Sequence, residues 1–169
     1  MRVLIIEDAP EEAELFAQMV AHHGHDPFLA ESGEVALERL DTAVPDAVLL
    51  DVSLPGMSGA EFLRIVRERR PGLAVVAISG VVTEDLARRC LKLGAVEFLP
   101  KPLTVDQLGI VLNFLQTHLL TSGPTAEVPR VERRRYPRVQ VPVEIAVEEP
   151  SGAQWRGHLV SRVETHGTK

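Results

Sequence analysis

Cysteine is almost absent from this sequence. Cys90 is the only one among 169 residues, so the chain cannot form an internal disulfide, and a reducing compartment suits it. The residues around it, Leu86–Leu93, have the pattern of a helix face. We therefore expect Cys90 to pack in a core rather than to act as a nucleophile.

Long apolar runs are also missing. No segment approaches the roughly 20 apolar residues that a membrane-spanning helix needs. The first apolar run, Val3–Ile6, is followed at once by two acids, which does not fit a secretory signal peptide. We expect a cytoplasmic protein with no membrane partner.

Positive charge is scarce in the first two thirds of the chain. Residues 1–120 contain 10 Lys/Arg and 18 Asp/Glu, a net charge of -8, whereas residues 121–169 contain 8 and 6, a net charge of +2. An acidic segment is a poor match for nucleic acid, and residues 121–169 show no helix–turn–helix pattern. No DNA partner is expected.

What the sequence does contain is a regular alternation of short apolar runs and amphipathic segments. The predicted strands are residues 3–6, 27–30, 47–50, 73–78 and 96–99, and helical patterns follow each of them. This alternation predicts an α/β fold with a doubly wound, five-stranded parallel sheet. Ligands of such sheets bind outside the carboxyl ends of the strands.

The pattern stops near residue 120. Residues 121–130 are rich in turn-forming residues and have no periodicity, so they are predicted to be a linker between a domain at 1–120 and a tail. Residues 131–169 contain two runs with strand-like alternation, separated by Pro150-Ser-Gly. The tail is therefore predicted to be a short β-rich extension.

Polar residues stand where four of the predicted strands end. They are Glu7 and Asp8, Asp51, Ser79 and Lys101. Two carboxylates can hold Mg²⁺, which prefers oxygen ligands, while a third carboxylate acts as a nucleophile toward phosphorus. An ammonium and a hydroxyl can bind the phosphoryl oxygens. The set predicts Asp51 as a phosphoryl acceptor and Glu7 and Asp8 as metal ligands.

Four segments together resemble the receiver domain of two-component response regulators (CheY-like). They are Ile6-Glu7-Asp8, Leu49-Leu-Asp51-Val-Ser-Leu-Pro-Gly-Met-Ser-Gly59, Ile78-Ser79-Gly80 and Phe98-Leu-Pro-Lys101-Pro102. The resemblance covers residues 1–120 and implies a flavodoxin-like sheet with strand order 2-1-3-4-5. It also implies a histidine kinase or phosphotransfer protein as the phosphate donor.

The resemblance assigns further roles. It implies that Asp51 and the backbone carbonyl of Ser53 join Glu7 and Asp8 as ligands of Mg²⁺, and that the Lys101-Pro102 peptide bond is cis. Ser79 and Phe98 match the family's switch pair, which remodels the surface formed by the fourth helix, fifth strand and fifth helix. That surface is expected to control a partner or the C-terminal segment, and it could support a homodimer.

An enzyme is the weaker alternative for the same acids. A haloacid-dehalogenase-like phosphatase also places an aspartate nucleophile after a strand, but it needs a second aspartate two residues later, where this chain has Ser53. We expect a phospho-acceptor with at most slow autodephosphorylation rather than an enzyme.

A short arginine run opens the tail. Arg133, Arg134 and Arg138 have the spacing Arg-Arg-x-x-x-Arg, which resembles the N-terminal motif of PilZ domains and implies cyclic di-GMP as a ligand. The second motif of that family would fall on residues 162–167, where only Gly167 matches, and two strands cannot close a barrel. Residues 131–169 are thus an incomplete PilZ-like segment, and three interpretations stay open: an effector that responds to cyclic di-GMP under receiver control, a receiver-only adaptor with a non-functional tail, and a solvated basic linker.

Overall fold

The structure, a computed structural model, describes residues 1–122. Ten elements alternate along them: β1 Arg2–Ile6, α1 Pro10–His22, β2 Asp26–Ala30, α2 Gly33–Ala43, β3 Ala47–Asp51, α3 Gly59–Arg69, β4 Ala74–Ser79, α4 Glu84–Lys92, β5 Glu97–Pro100 and α5 Val105–Ser122. The five strands form one parallel sheet in the order β2-β1-β3-β4-β5. The predicted fold class and strand order are confirmed.

The sheet is covered on both faces, which explains why its inner strands β3 and β4 are apolar up to their last residue. Every residue of β3 and of β4 is buried. One face packs against α1 and α5, and the other packs against α2, α3 and α4. Alternate side chains of one strand therefore enter different cores, as Val48 and Leu49 do.

Several helices begin with the side-chain caps that their sequences predict. The hydroxyl of Ser58 accepts a hydrogen bond from the backbone N–H of Glu61 at the start of α3. Before α5, Thr104 and Gln107 bond reciprocally through side chain and backbone, as a capping box does. These caps fix the chain where it leaves the carboxyl edge of the sheet.

Each strand departs by one residue from its predicted bounds. Helix α2 extends to Ala43, and its C-cap is Val44, whose φ of 43° is left-handed. Helix α5 extends to Ser122 and so includes the first two residues of the predicted linker. In both places the chain continues a helix after its apolar periodicity has ended.

Cys90 lies on the inner face of α4 with no solvent exposure, as predicted. Burial raises the pKa of its thiol, which keeps it protonated and unreactive. None of the helices within residues 1–122 is both long enough and apolar enough to cross a bilayer.

Candidate functional site

The carboxyl ends of four neighbouring strands bring together the residues selected from the sequence. Glu7 directly follows β1, Asp51 ends β3, Ser79 ends β4 and Lys101 directly follows β5. Because β3 lies between β1 and β4 in the sheet, Asp51 occupies the middle of this edge. The parallel order thus collects groups that lie up to 94 residues apart in the chain.

The ammonium group of Lys101 forms hydrogen bonds with two of the acids at this edge of the sheet. Its Nζ donates to Oδ2 of Asp51 over 2.6 Å and to Oε2 of Glu7 over 2.7 Å. The side chains of these two acids are 7% and 2% exposed, and that of Lys101 is 17% exposed. The ion pairs are therefore shielded from water. Charge–charge interactions are stronger in such a buried place than in water.

A third carboxylate, which the sequence did not reveal, also contacts Lys101. Oε2 of Glu12, in the first turn of α1, lies 2.6 Å from Nζ. Its side chain is 48% exposed, so it lies at the mouth of the pocket. Nζ also lies 5.7 Å from the centroid of the Phe16 ring, within the range of a cation–π contact.

Asp51 is fixed through both of its oxygens. While Oδ2 faces Lys101, Oδ1 accepts a hydrogen bond of 2.7 Å from the backbone N–H of Ser53. The N–H of Val52 donates to the carbonyl of Ile78 on β4, which extends the sheet pairing just past Asp51. The two bonds hold the carboxylate of Asp51 in one orientation. A group that reacts with a substrate in one geometry needs such an orientation.

Three acids at this edge have the geometry of a cation site. Single carboxylate oxygens of Glu7, Asp8 and Asp51 all lie within 4.8 Å of one another. Glu7 and Asp51 are buried and Asp8 is exposed, so a bound cation would keep access to water. Oxygen donors with room for water suit Mg²⁺, which binds through few carboxylates and keeps several waters.

Burial and charge shift the pKa values of two groups. Burial raises the pKa of Glu7, and the nearby Asp51 adds to this effect, whereas the hydrogen bond from Lys101 acts in the opposite direction. Burial alone would lower the pKa of Lys101, but its bonds to Asp51, Glu12 and Glu7 outweigh burial and raise it. Lys101 is therefore a permanent cation, and the pocket has more negative charge than this one cation neutralises.

Ser79 adjoins this cluster through its backbone contact with Lys101, whereas Phe98 lies within β5 and pairs with Ala77 of β4. Ser79 has no solvent exposure, and its hydroxyl oxygen accepts a hydrogen bond of 3.1 Å from the backbone N–H of Val81. Phe98 on β5 is 8% exposed and belongs to the core that includes α4. The backbone N–H of Lys101 donates to the carbonyl of Ser79, and the Lys101-Pro102 peptide bond is cis.

The loop after Asp51 is braced from α2, by a residue that sequence patterns did not indicate. Oε1 of Glu34 accepts a hydrogen bond of 3.0 Å from the backbone N–H of Met57. Gly56, beside it, has a φ of 74°, a left-handed conformation that favours glycine. The loop that positions Ser53 is thus held at its far end by a neighbouring helix.

Comparison with known proteins agrees with this geometry. The profile of the response regulator receiver domain matches residues 3–113. The chain belongs to the response regulator receiver family. Receiver domains accept phosphate from histidine kinases and bind Mg²⁺ at an acidic pocket, so this chain contains the phospho-accepting module of a two-component response regulator.

Individual relatives share the receiver domain. The chain is 33% identical over 134 residues to the transcriptional regulatory protein TcrA of Mycobacterium tuberculosis, covering 78% of this chain and 51% of that protein. It is 32% identical over 113 residues to a cyclic di-GMP phosphodiesterase of Thermotoga maritima, covering 67% of this chain and 30% of that protein. The chain thus spans about half or less of the length of these curated relatives.

A solved receiver domain has the same fold. The signal receiver domain of a putative Luxo repressor protein from Vibrio parahaemolyticus superposes with a TM-score of 0.67 at 31% identity, covering 70% of this chain and 92% of that one. The predictions for Arg133, Arg134 and Arg138, and for the PilZ-like segment, lie outside the described residues. They stay predictions.

Proposed function

We propose that this chain is a phosphorylation switch in which Asp51 accepts the phosphoryl group of a phosphohistidine. An oxygen of the Asp51 carboxylate attacks phosphorus, the bond from phosphorus to the histidine nitrogen breaks, and its electron pair stays on the imidazole. The product is an acyl phosphate on Asp51. The observation that supports this most strongly is the position of Asp51 at the centre of the strand edge, between an ammonium and two further acids.

The surrounding groups supply the electrostatics of the reaction. Glu7 and Asp8, with the carbonyl of Ser53, would hold Mg²⁺, which neutralises charge on the phosphoryl oxygens and so lowers the barrier to attack by a carboxylate. Lys101 is fixed beside Asp51 before any donor arrives, so it can bind a phosphoryl oxygen without a large rearrangement.

The signal would leave the pocket through Ser79. Its hydroxyl now accepts the N–H of Val81, and turning toward a phosphoryl group would break that bond and move the loop before α4. Phe98 packs in the adjoining core, so a shift there would reach the surface formed by α4, β5 and α5. We propose that this surface, or a homodimer formed through it, transmits the phosphorylation state to a partner or to the C-terminal segment.

The test is a comparison of the full chain with Asp51→Asn. With Mg²⁺ and phosphoramidate, wild type should gain one phosphoryl group by intact mass, and Asp51→Asn should gain none. Asp85→Asn is the matched control, because Asp85 is an exposed acid in the first turn of α4 and its loss should leave loading unchanged. Equal labelling of Asp51→Asn and wild type would rule out the assignment.

The arginine run supports a second candidate function, in which the tail binds cyclic di-GMP. Arginine guanidinium groups form bidentate bonds to phosphates and stack on flat bases, and the spacing of Arg133, Arg134 and Arg138 fits that use. The phosphodiesterase relative is matched over only 30% of its length, so its name adds nothing to this candidate. A receiver-only adaptor is the outcome if the nucleotide does not bind.

A further inference from the structure

Three carboxylates surround the ammonium group of Lys101: Nζ lies 2.7 Å from Glu7, 2.6 Å from Asp51 and 2.6 Å from Glu12. Nζ donates hydrogen bonds to Glu7 and Asp51 and forms an ion pair with Glu12. An ammonium group has three donors and no more. Before Lys101 can bind a phosphoryl oxygen, it must release one of these three partners.

The three partners differ in how easily they can be released. Glu7 is 2% exposed, so it stays buried beside Lys101, and Asp51 loses its carboxylate charge when it becomes an acyl phosphate. Glu12 is 48% exposed, so water can replace the ammonium as its partner at little cost. Glu12 is therefore the charged partner that can leave Lys101 most easily, and while it stays it competes with the phosphoryl group for the ammonium.

Glu12 is also close enough to affect a phosphoryl group directly. Because Nζ lies 2.6 Å from both, Oε2 of Glu12 and Oδ2 of Asp51 are at most 5.2 Å apart, the sum of 2.6 and 2.6. A phosphoryl group on Asp51 would extend its oxygens into the region that Glu12 borders. Like charges at such a separation repel, and the low exposure of the pocket weakens the screening by solvent.

We propose that Glu12 is a positioning residue that competes with the phosphoryl group on Asp51 for Lys101. In the unphosphorylated protein its carboxylate forms an ion pair with the ammonium group. After phosphorylation its negative charge competes with the phosphoryl oxygens for the same ammonium group, so it weakens the binding of the phosphoryl group. This rests on the proposed function of Asp51, and it adds a residue that sets how strongly the pocket holds its ligand.

The experiment measures the affinity of the full chain for beryllofluoride, an analogue of the phosphoryl group, by calorimetry at saturating Mg²⁺. Glu12→Gln removes the charge that competes for Lys101, so it should bind about two- to fivefold more tightly than wild type, the range of an exposed ion pair. Glu11→Gln is the matched control, because Glu11 lies in the same turn of α1 and makes no bond to Lys101 among the described residues. Its affinity should equal that of wild type.

A further variant separates contact from long-range repulsion. Glu12→Asp keeps the charge but is shorter by one methylene, so it should lose the contact with Lys101 and bind nearly as tightly as Glu12→Gln. Thermal melting without ligand should show that all three variants fold as wild type does.

The possible results have different meanings. Equal affinity in wild type and Glu12→Gln, or an equal gain in Glu11→Gln, would overturn the role of Glu12 while leaving the phospho-acceptor intact. Wild-type affinity in Glu12→Asp would likewise overturn the competition for Lys101. Failure of wild type to bind beryllofluoride at all would overturn the proposed function itself.

Discussion

Gly59 lies directly against the backbone of Val52. A Cβ at position 59 would be 2.7 Å from the Cα of Val52 and 3.0 Å from the carbonyl oxygen of Asp51, whereas real Cβ atoms essentially never come closer than 3.0 Å to such atoms. The first turn of α3 therefore packs on the segment that carries Asp51, and only glycine allows it.

Gly59→Ala should destabilise the domain and slow phosphorylation. Because the clash is with backbone rather than with a flexible side chain, the Asp51 segment must shift, and overpacking of this kind costs about 1–3 kcal/mol. Chemical denaturation gives the free energy of unfolding, and phosphoramidate labelling gives the rate. Gly80→Ala is the control, because a Cβ there would meet open space; equal losses in the two variants would contradict the packing explanation.

Glu34→Ala should loosen the loop that follows Asp51. The carboxylate of Glu34 is the acceptor for the backbone N–H of Met57, and removing it leaves that N–H to water. Hydrogen–deuterium exchange should show faster exchange at Met57 than in wild type. Glu38→Ala, an exposed glutamate on the same helix, should leave that amide unchanged, and comparable acceleration in both would indicate a general effect on α2.

His25 should make the domain less stable in mild acid. Its side chain is buried, and neither ring nitrogen has a hydrogen-bond partner among the described residues. Burial, assisted by the N-terminal ammonium and His23, lowers the pKa of His25 below its usual value of 6.5. The folded state thus favours the neutral ring, so its contribution to stability is complete above about pH 6.5 and is lost as the pH falls further.

The measurement is the free energy of unfolding from pH 7.5 to pH 5. Wild type should lose stability over this range with a steeper slope than His25→Gln, whatever the absolute stability of the variant. His22→Gln, which changes the exposed histidine that ends α1, is the control for replacing a histidine in this part of the chain. Identical slopes in wild type and His25→Gln would rule out a role for His25.

Arg134→Ala should abolish binding of cyclic di-GMP if the tail uses its arginine run for that nucleotide. A single guanidinium that bonds to phosphate and stacks on a base cannot be replaced by a methyl group. Calorimetry on the full chain checks this, with Arg156→Ala as a control outside the run. If the titration of wild type shows no heat of binding, the tail does not bind cyclic di-GMP.

The sequence predicted the fold and most of the pocket because both depend on local patterns. Apolar runs marked the strands, and the polar residues Asp51, Ser79 and Lys101 stood just where those runs end. Parallel order then places all strand ends on one edge, so no knowledge of side-chain positions was needed. The resemblance to receiver domains rests on the same residues.

What the sequence could not predict depends on side chains that meet across elements. Glu12 is one of two adjacent glutamates in the first turn of α1, where the helix dipole already favours acids, so nothing marks it as a partner of Lys101. Glu34 lies 23 residues from Met57. The left-handed backbone conformation of Val44 could not be predicted from the sequence either, because glycine is the residue expected at such a helix end.

A chain that is still being synthesised contains the acids of the pocket before it contains Lys101. The ammonium group comes 94 residues after Glu7 and 50 after Asp51, just past β5, the last strand within residues 1–122. A chain still emerging from the ribosome can present the acids early, yet it lacks the cation that completes the pocket. On the proposed function, we expect that a chain whose synthesis has not yet reached Lys101 does not accept phosphate.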